Sequence, residues 1–142
     1  MRPELYCKPV INSATNREAL VAAATSGDNK FFLGTDSAPH PLSAKEARVV
    51  KAGIFNAPYA LEVTAEVFHQ ADALDAFGAF CSTNGAARYG RPVADAEILM
   101  TRDGDDGSAD DLPDTIVNSK GETVRLFGVA EAALWTIQAV GA

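Results

Sequence analysis

Histidine and cysteine are scarce here, with two of each in 142 residues. Two thiols, Cys7 and Cys81, make no disulfide framework. No CxxC or CxH spacing groups them with a histidine, so a small zinc module is not expected, and both read as small buried hydrophobes in a reducing cytoplasm. Basic residues are also few: 12 Lys and Arg stand against 19 Asp and Glu, a net charge of -7. That balance argues against partners such as nucleic acid or an anionic membrane surface. No apolar run reaches the roughly 18 residues that a membrane-spanning helix needs, and the first residues, MRPELYCKPV, lack the apolar core of a signal peptide. Internal repeats and heptads are missing too. What remains is ordinary globular composition, 47% hydrophobic and 22% charged, in a length that suits one domain with a core.

The chain opens on a short apolar run, residues 4–11, that reads as a buried strand with no element before it. Such an opening is expected of a fragment or an internal start. Asn12 and Ser13 break the run, and Thr15 with Glu18 has capping-box spacing for a helix over 15–26, with Leu20, Ala23 and Ala24 on one face. Residues 30–34, KFFLG, form a second strand candidate. Strand, helix and strand within about thirty residues predict a βαβ unit and a parallel sheet. Ligands of such sheets sit at the carboxyl ends of the strands, which directs attention to the residues after Leu33.

A polar loop to Gly53 follows. Asn56 and Pro58 then predict a helix start, with a helix to about Gln70 whose apolar stripe takes in Leu61, Val63, Val67 and Phe68. A second helix near 72–81 buries Leu74, Phe77 and Phe80, and a third over 83–89 ends at Gly90. Residues 96–101 read as a strand. Residues 103–114 hold six Asp, two Gly and one Pro, the composition of a solvated linker. As a calcium loop this stretch fails, because Gly107 is fifth from Asp103 and Asp114 stands where a bidentate Glu belongs. Residues 122–127 suit a strand, and 129–140 suit either a helix or a strand. The domain reading is 1–95 and then 96–142.

Asp36 falls two residues beyond the second strand candidate, and His40 four residues later. A carboxylate and an imidazole at a strand's carboxyl end serve as metal ligand, general base or anion clamp. An Asp there is equally an ordinary turn former. Lys8, at the end of the first strand, is either a cation for an anionic substrate or a side chain snorkelling from a rim. His69, beside Phe68 and Gln70, has no matched partner and reads as structural.

The run FFLGTDSAPHP (31–41) resembles the segment that closes the last barrel strand in dihydroorotases of the bacterial, homodimeric class, within the amidohydrolase superfamily. YCKPV (6–10), Lys45-Glu46, AGIFNAPYAL (52–61) and FCSTNGAARYGRP (80–92) extend the resemblance over roughly residues 2–95. It implies the C-terminal part of a (β/α)8 TIM-type barrel, an incomplete α/β barrel made of the last two barrel strands and the C-terminal helices. It implies zinc-dependent, reversible hydrolysis of the cyclic amide of L-dihydroorotate to N-carbamoyl-L-aspartate in pyrimidine biosynthesis, with two zinc ions per complete site and a homodimer as the complete enzyme. Asp36 would ligate the more buried zinc and serve as general base, and as acid in the reverse direction. His40 and the Ala52 backbone N–H would hold the substrate carboxylate, and the main chain at Lys8 would contact the pyrimidine ring.

Several positions depart from the family pattern. INSATN (11–16) replaces a basic pair, NGAARYG (84–90) lacks a proline and an aromatic, and GVAEAALWTIQAVGA follows the usual end. The family's HxH pair, its carboxylated lysine and two further histidines would lie upstream of Met1, and a whole barrel needs at least about 200 residues. The chain alone is therefore expected to be inactive and to retain no stoichiometric zinc. Two alternatives stand beside this reading. One is a non-catalytic half-barrel that pairs with itself or another chain through exposed strand edges. The other is a related cyclic amidase, such as a hydantoinase.

Overall fold

The computed structural model describes residues 2–10, 13–104 and 111–140. The centre of the acidic linker and the last residue of the first predicted strand fall outside that set.

Helix α1 spans Ala14–Ala24, capped by Ser13, whose Oγ accepts from Asn16 N at 3.3 Å. The capping-box expectation at Thr15 is thus corrected by two residues: Ser13 has the extended backbone a cap requires, whereas Thr15 lies within the helix. No residue of α1 is buried, and Leu20 is 61% exposed. The short helix α2 (Leu42–Lys45) follows. A 3₁₀ turn at Ala57–Tyr59 leads into α3 (Ala60–Gln70), with Asn56 and Pro58 at its start as the sequence predicts. Helices α4 (Leu74–Gly78) and α5 (Asn84–Arg88) are joined through a π turn at Ala79–Thr83, so the two predicted helices run on without a break. The α3 and α4 region packs through Phe68, whose ring lies 5.7 Å from Phe77 and 5.1 Å from Phe80 between centroids.

The predicted parallel sheet is not present among the described residues. Both sheets are antiparallel and two-stranded: β1 (Glu97–Arg102) with β4 (Trp135–Val140), and β2 (Thr115–Val117) with β3 (Thr123–Arg125). The runs expected as the last two barrel strands, 4–11 and 30–34, join no ladder. A parallel strand exists only beside a neighbour. Leu33 N instead donates to Phe80 O on the π turn, at 2.9 Å, and Asn84 Nδ2 donates to Phe31 O at 3.0 Å. The second run thus lies along the α4–α5 rod. The first begins as a 3₁₀ turn at Pro3–Leu5.

The C-terminal elements close over α3. Residues 129–140, which suit either a helix or a strand on sequence, contain both: α6 (Val129–Ala132) and β4. Tyr59, Leu126 and Ala132 form a buried cluster flanked by Phe55, Val63 and Val129. The β2–β3 turn is organised by Asn118, whose Oδ1 accepts from Lys120 N and Glu122 N at 2.9 and 3.0 Å. Glu66 of α3, 5% exposed, accepts from Arg102 Nε at 3.0 Å, Gln70 Nε2 at 3.1 Å and Trp135 Nε1 at 3.1 Å. This carboxylate ties the β1–β4 ribbon to the helix. No helix of the described residues is long and apolar enough to cross a membrane.

Candidate active site at the Asp36 loop

Three segments meet around a cavity of about 340 Å³ whose walls include Cys7, Lys8, Thr35, Asp36, Ala52 and Asn56. Backbone bonds set their separation. Ala38 N donates to Ile54 O at 2.9 Å, and Gly53 N donates to Tyr6 O at 3.0 Å. The FNAP stretch completes the frame: Asn56 Nδ2 donates to Thr35 O at 2.9 Å, and the Ala57 backbone N–H donates to Ser37 Oγ at 3.1 Å.

Asp36 is exposed and has φ 44°. Among residues with a side chain, aspartate enters this left-handed region more readily than most. The conformation turns the chain sharply after residues 30–35 and sends 37–40 back toward Ile54. His40 is not a wall of the cavity, but its Nε2 lies 3.0 Å from Ala52 O. A carbonyl only accepts, so Nε2 carries the proton there and Nδ1 is the nitrogen left for a ligand. The structure therefore brings Lys8, Asp36 and Ala52 to one cavity and joins His40 to it through Ala52.

Sequence reasoning missed two contributors. Asn56 reads as a helix cap but makes no capping bond; it is spent on Thr35 O, and its Oδ1 is buried without a protein partner. Lys45, in a loop of polar residues, is only 4% exposed, with its ammonium on three carbonyls. Nothing in a polar loop's composition announces a buried cation. His69 stands apart, edge-on to Trp135 at 6.2 Å, in the structural role expected. Cys7 and Cys81 are free and half-buried, and burial pushes the Cys81 thiol up to about 12, which makes it inert as a nucleophile.

Gly53 sets the fit between the loops. With φ 142°, a Cβ there would lie 2.6 Å from Ala38 O, 2.8 Å from Ala38 Cβ and 3.0 Å from His40 Cδ2. Two of these atoms belong to the opposing residue's backbone and stem and cannot swing away. Gly53→Ala is expected to push the 36–40 loop outward, lose the His40–Ala52 contact and cost about 1–3 kcal/mol. The His40 ring resonances would report it; unchanged shifts would refute the packing argument.

No three His, Cys, Asp or Glu side chains among the described residues converge where a metal ion could sit. Asp36 is one carboxylate, and a catalytic zinc takes three protein ligands. The described residues do not by themselves form a two-metal centre.

Lys8, Asp36 and Ala52 line one cavity on the loops of a partial α/β unit, a portion of an amidohydrolase as its relatives show. No protein-family model matches the chain. Curated relatives do. It is 47% identical over 139 residues to a dihydroorotase of Ruegeria pomeroyi, covering 96% of this chain and 38% of the relative. It is 49% identical over 138 residues to a dihydroorotase of Erythrobacter litoralis, covering 97% and 38%. The structure overlays the crystal structure of Saccharomyces cerevisiae dihydroorotase in complex with 5-fluoroorotic acid with a TM-score of 0.78 at 28% identity, over 99% of this chain and 38% of that one. The chain belongs to the dihydroorotase family and spans about 38% of the length of these relatives. Membership implies a metal cofactor.

Proposed function

We propose that the chain contributes one wall of a dihydroorotase active site, the wall that binds the pyrimidine carboxylate and moves a proton at the scissile amide. The observation that carries this is the convergence of Lys8, Asp36 and Ala52 on one cavity, with His40 bonded to Ala52. In this reading residues 1–95 belong to the barrel and 96–142 form a C-terminal element. The complete enzyme is a cytoplasmic homodimer with two zinc ions per site; Asp36 would be this chain's ligand to them, and the metal would supply Lewis-acid polarisation of the amide carbonyl.

The chain's own residues have separate tasks. The exposed Asp36 carboxylate takes a proton at its Oδ atoms from the water that adds to the amide carbon and delivers it to the ring nitrogen as the C–N bond breaks. The Ala52 N–H donates to the substrate carboxylate, and a protonated His40 donates from Nδ1 while Nε2 stays on Ala52 O. The Lys8 main chain lies against the ring. Asn56 Oδ1, a buried acceptor at the cavity wall, suits an N–H of a cyclic amide. Asp36 is the one metal ligand this reading assigns to the chain.

The test uses 5-fluoroorotate, the ligand named with the yeast enzyme, added to the isotope-labelled chain. Perturbed signals at Ala52, Lys8 and the His40 ring are expected, together with no measurable turnover of N-carbamoyl-L-aspartate by the chain as the sole protein. Absence of those perturbations would refute the site assignment. Turnover by the chain alone would refute the division of the active site.

A further inference from the structure

We propose that Lys45 is a positioning residue for the substrate carboxylate, because its buried ammonium grips the peptide plane that presents the Ala52 N–H. The inference rests on the site assignment above. Lys45 closes α2, and the carbonyls it holds come from two segments of the cavity: Tyr6 O at 2.7 Å, Lys51 O at 2.9 Å and Gly53 O at 2.7 Å. An ammonium has three protons, and all three are used.

The identity of these carbonyls carries the argument. The Lys51 carbonyl and the Ala52 N–H belong to one planar peptide unit, and in a trans peptide they point in opposite directions. Fixing Lys51 O on the Lys45 Nζ therefore fixes the direction of the Ala52 N–H. On the other side of Ala52, its own carbonyl meets His40 Nε2 at 3.0 Å. Tyr6 O is shared with Gly53 N, so the same ammonium sets the distance from residues 51–53 to the segment that carries Lys8. Helix α2 is anchored in turn by a bridge between Pro41 and Val124 of β3.

Burial opposes the charge on Lys45 and pulls its pKa below the ordinary lysine value, while Cys7 and Glu4 push the other way. Three carbonyl dipoles offset the desolvation. A neutral side chain of similar length offers no equivalent grip.

Lys45→Met removes every donor, and Lys45→Gln keeps two. Amide exchange is measured at Gly53 and, as a reporter of global opening, at Phe68 of α3; binding of 5-fluoroorotate is measured at the Ala52 amide. For Lys45→Met, exchange at Gly53 is expected to quicken at least about tenfold more than at Phe68. Affinity for 5-fluoroorotate is expected to fall about ten- to a hundredfold, with Lys45→Gln between. An unchanged ratio of Gly53 to Phe68 exchange, or undiminished affinity, overturns the proposal. If Lys45→Met does not fold, Lys45→Gln is judged on the same two criteria. A wild-type chain that gives no response to 5-fluoroorotate overturns the site assignment and this proposal together. A wild-type response with undiminished affinity in the variants overturns only this one.

Discussion

Replacing Glu66 by leucine is expected to destabilise the chain by roughly 2–4 kcal/mol, because three donors lose the acceptor they share. Leucine has no acceptor for the Arg102 guanidinium, the Trp135 indole N–H or the Gln70 amide, which converge on this carboxylate from β1, β4 and α3. Denaturant unfolding measures the loss; a change within about 0.5 kcal/mol, the range of an ordinary surface substitution, would refute it. The same residue gives the fold a pH dependence. The Arg102 hydrogen bond, with those of Gln70 and Trp135 behind it, holds the Glu66 carboxyl below the ordinary glutamate value of 4.5, against the opposing pull of burial. The unfolded chain therefore binds the proton first as pH falls. Glu66 contributes its full stability above the unfolded value and loses that contribution as pH drops through the lower folded value. Between about pH 6 and pH 3, wild-type stability is expected to fall more steeply than that of Glu66→Gln, which has no proton to take up. Parallel pH profiles would contradict this.

Gly128→Ala is the second large effect. Gly128 has φ 90°, and a Cβ on it would overlap Val63 Cγ2 on α3 and lie 3.7 Å from Tyr59 Cβ. The substitution combines a left-handed backbone with a clash at the helix, and about 2–4 kcal/mol is expected. Gly121→Ala is the comparison: φ is 77° there, but nothing lies within 4 Å of the added carbon. That variant is expected to lose only about 1 kcal/mol, the backbone term by itself. Equal losses in thermal or chemical unfolding would show that contact with Val63 is irrelevant.

Helices α1, α3, α4 and α5 were legible because their signals are local, whereas α2 lies in a stretch that reads as a polar loop. Pro58 and the stripe ending at Phe68 need no distant partner to specify a helix, and Gly90 with φ 59° follows α5 as a left-handed residue should. The strands at 4–11 and 30–34 were misread as a ladder because their apolar character describes what surrounds them in a sheet, and the described residues supply no strand to pair with. Val10 at 71% and Val49 at 78% exposed belong to the same pattern of apolar side chains without cover. Around the cavity, the place of Asp36 and His40 after an apolar run singled them out, but the roles proposed for them came from the family resemblance and not from that place. Glu66 and Lys45 were not legible, because a buried charge and a solvated one look alike in a sequence. Their roles depend on Trp135 and on the Tyr6 carbonyl, 69 and 39 residues away.

The ties around the cavity have one property in common. Lys45 reaches residues 6, 51 and 53, Asn56 reaches residue 35, and Asn84 reaches residue 31, in every case at the carbonyl oxygen. Every amino acid offers that oxygen, so these bonds set no demand on the side chain of a gripped position, Gly53 being restricted by its own packing, while the gripping residues are fixed. Sequence drift in this region is thus unequal: Lys45, Asn56 and Asn84 are held by the protons they donate and Gly53 by the space around it, whereas residues 6, 31, 35 and 51 are bound only through a main-chain oxygen.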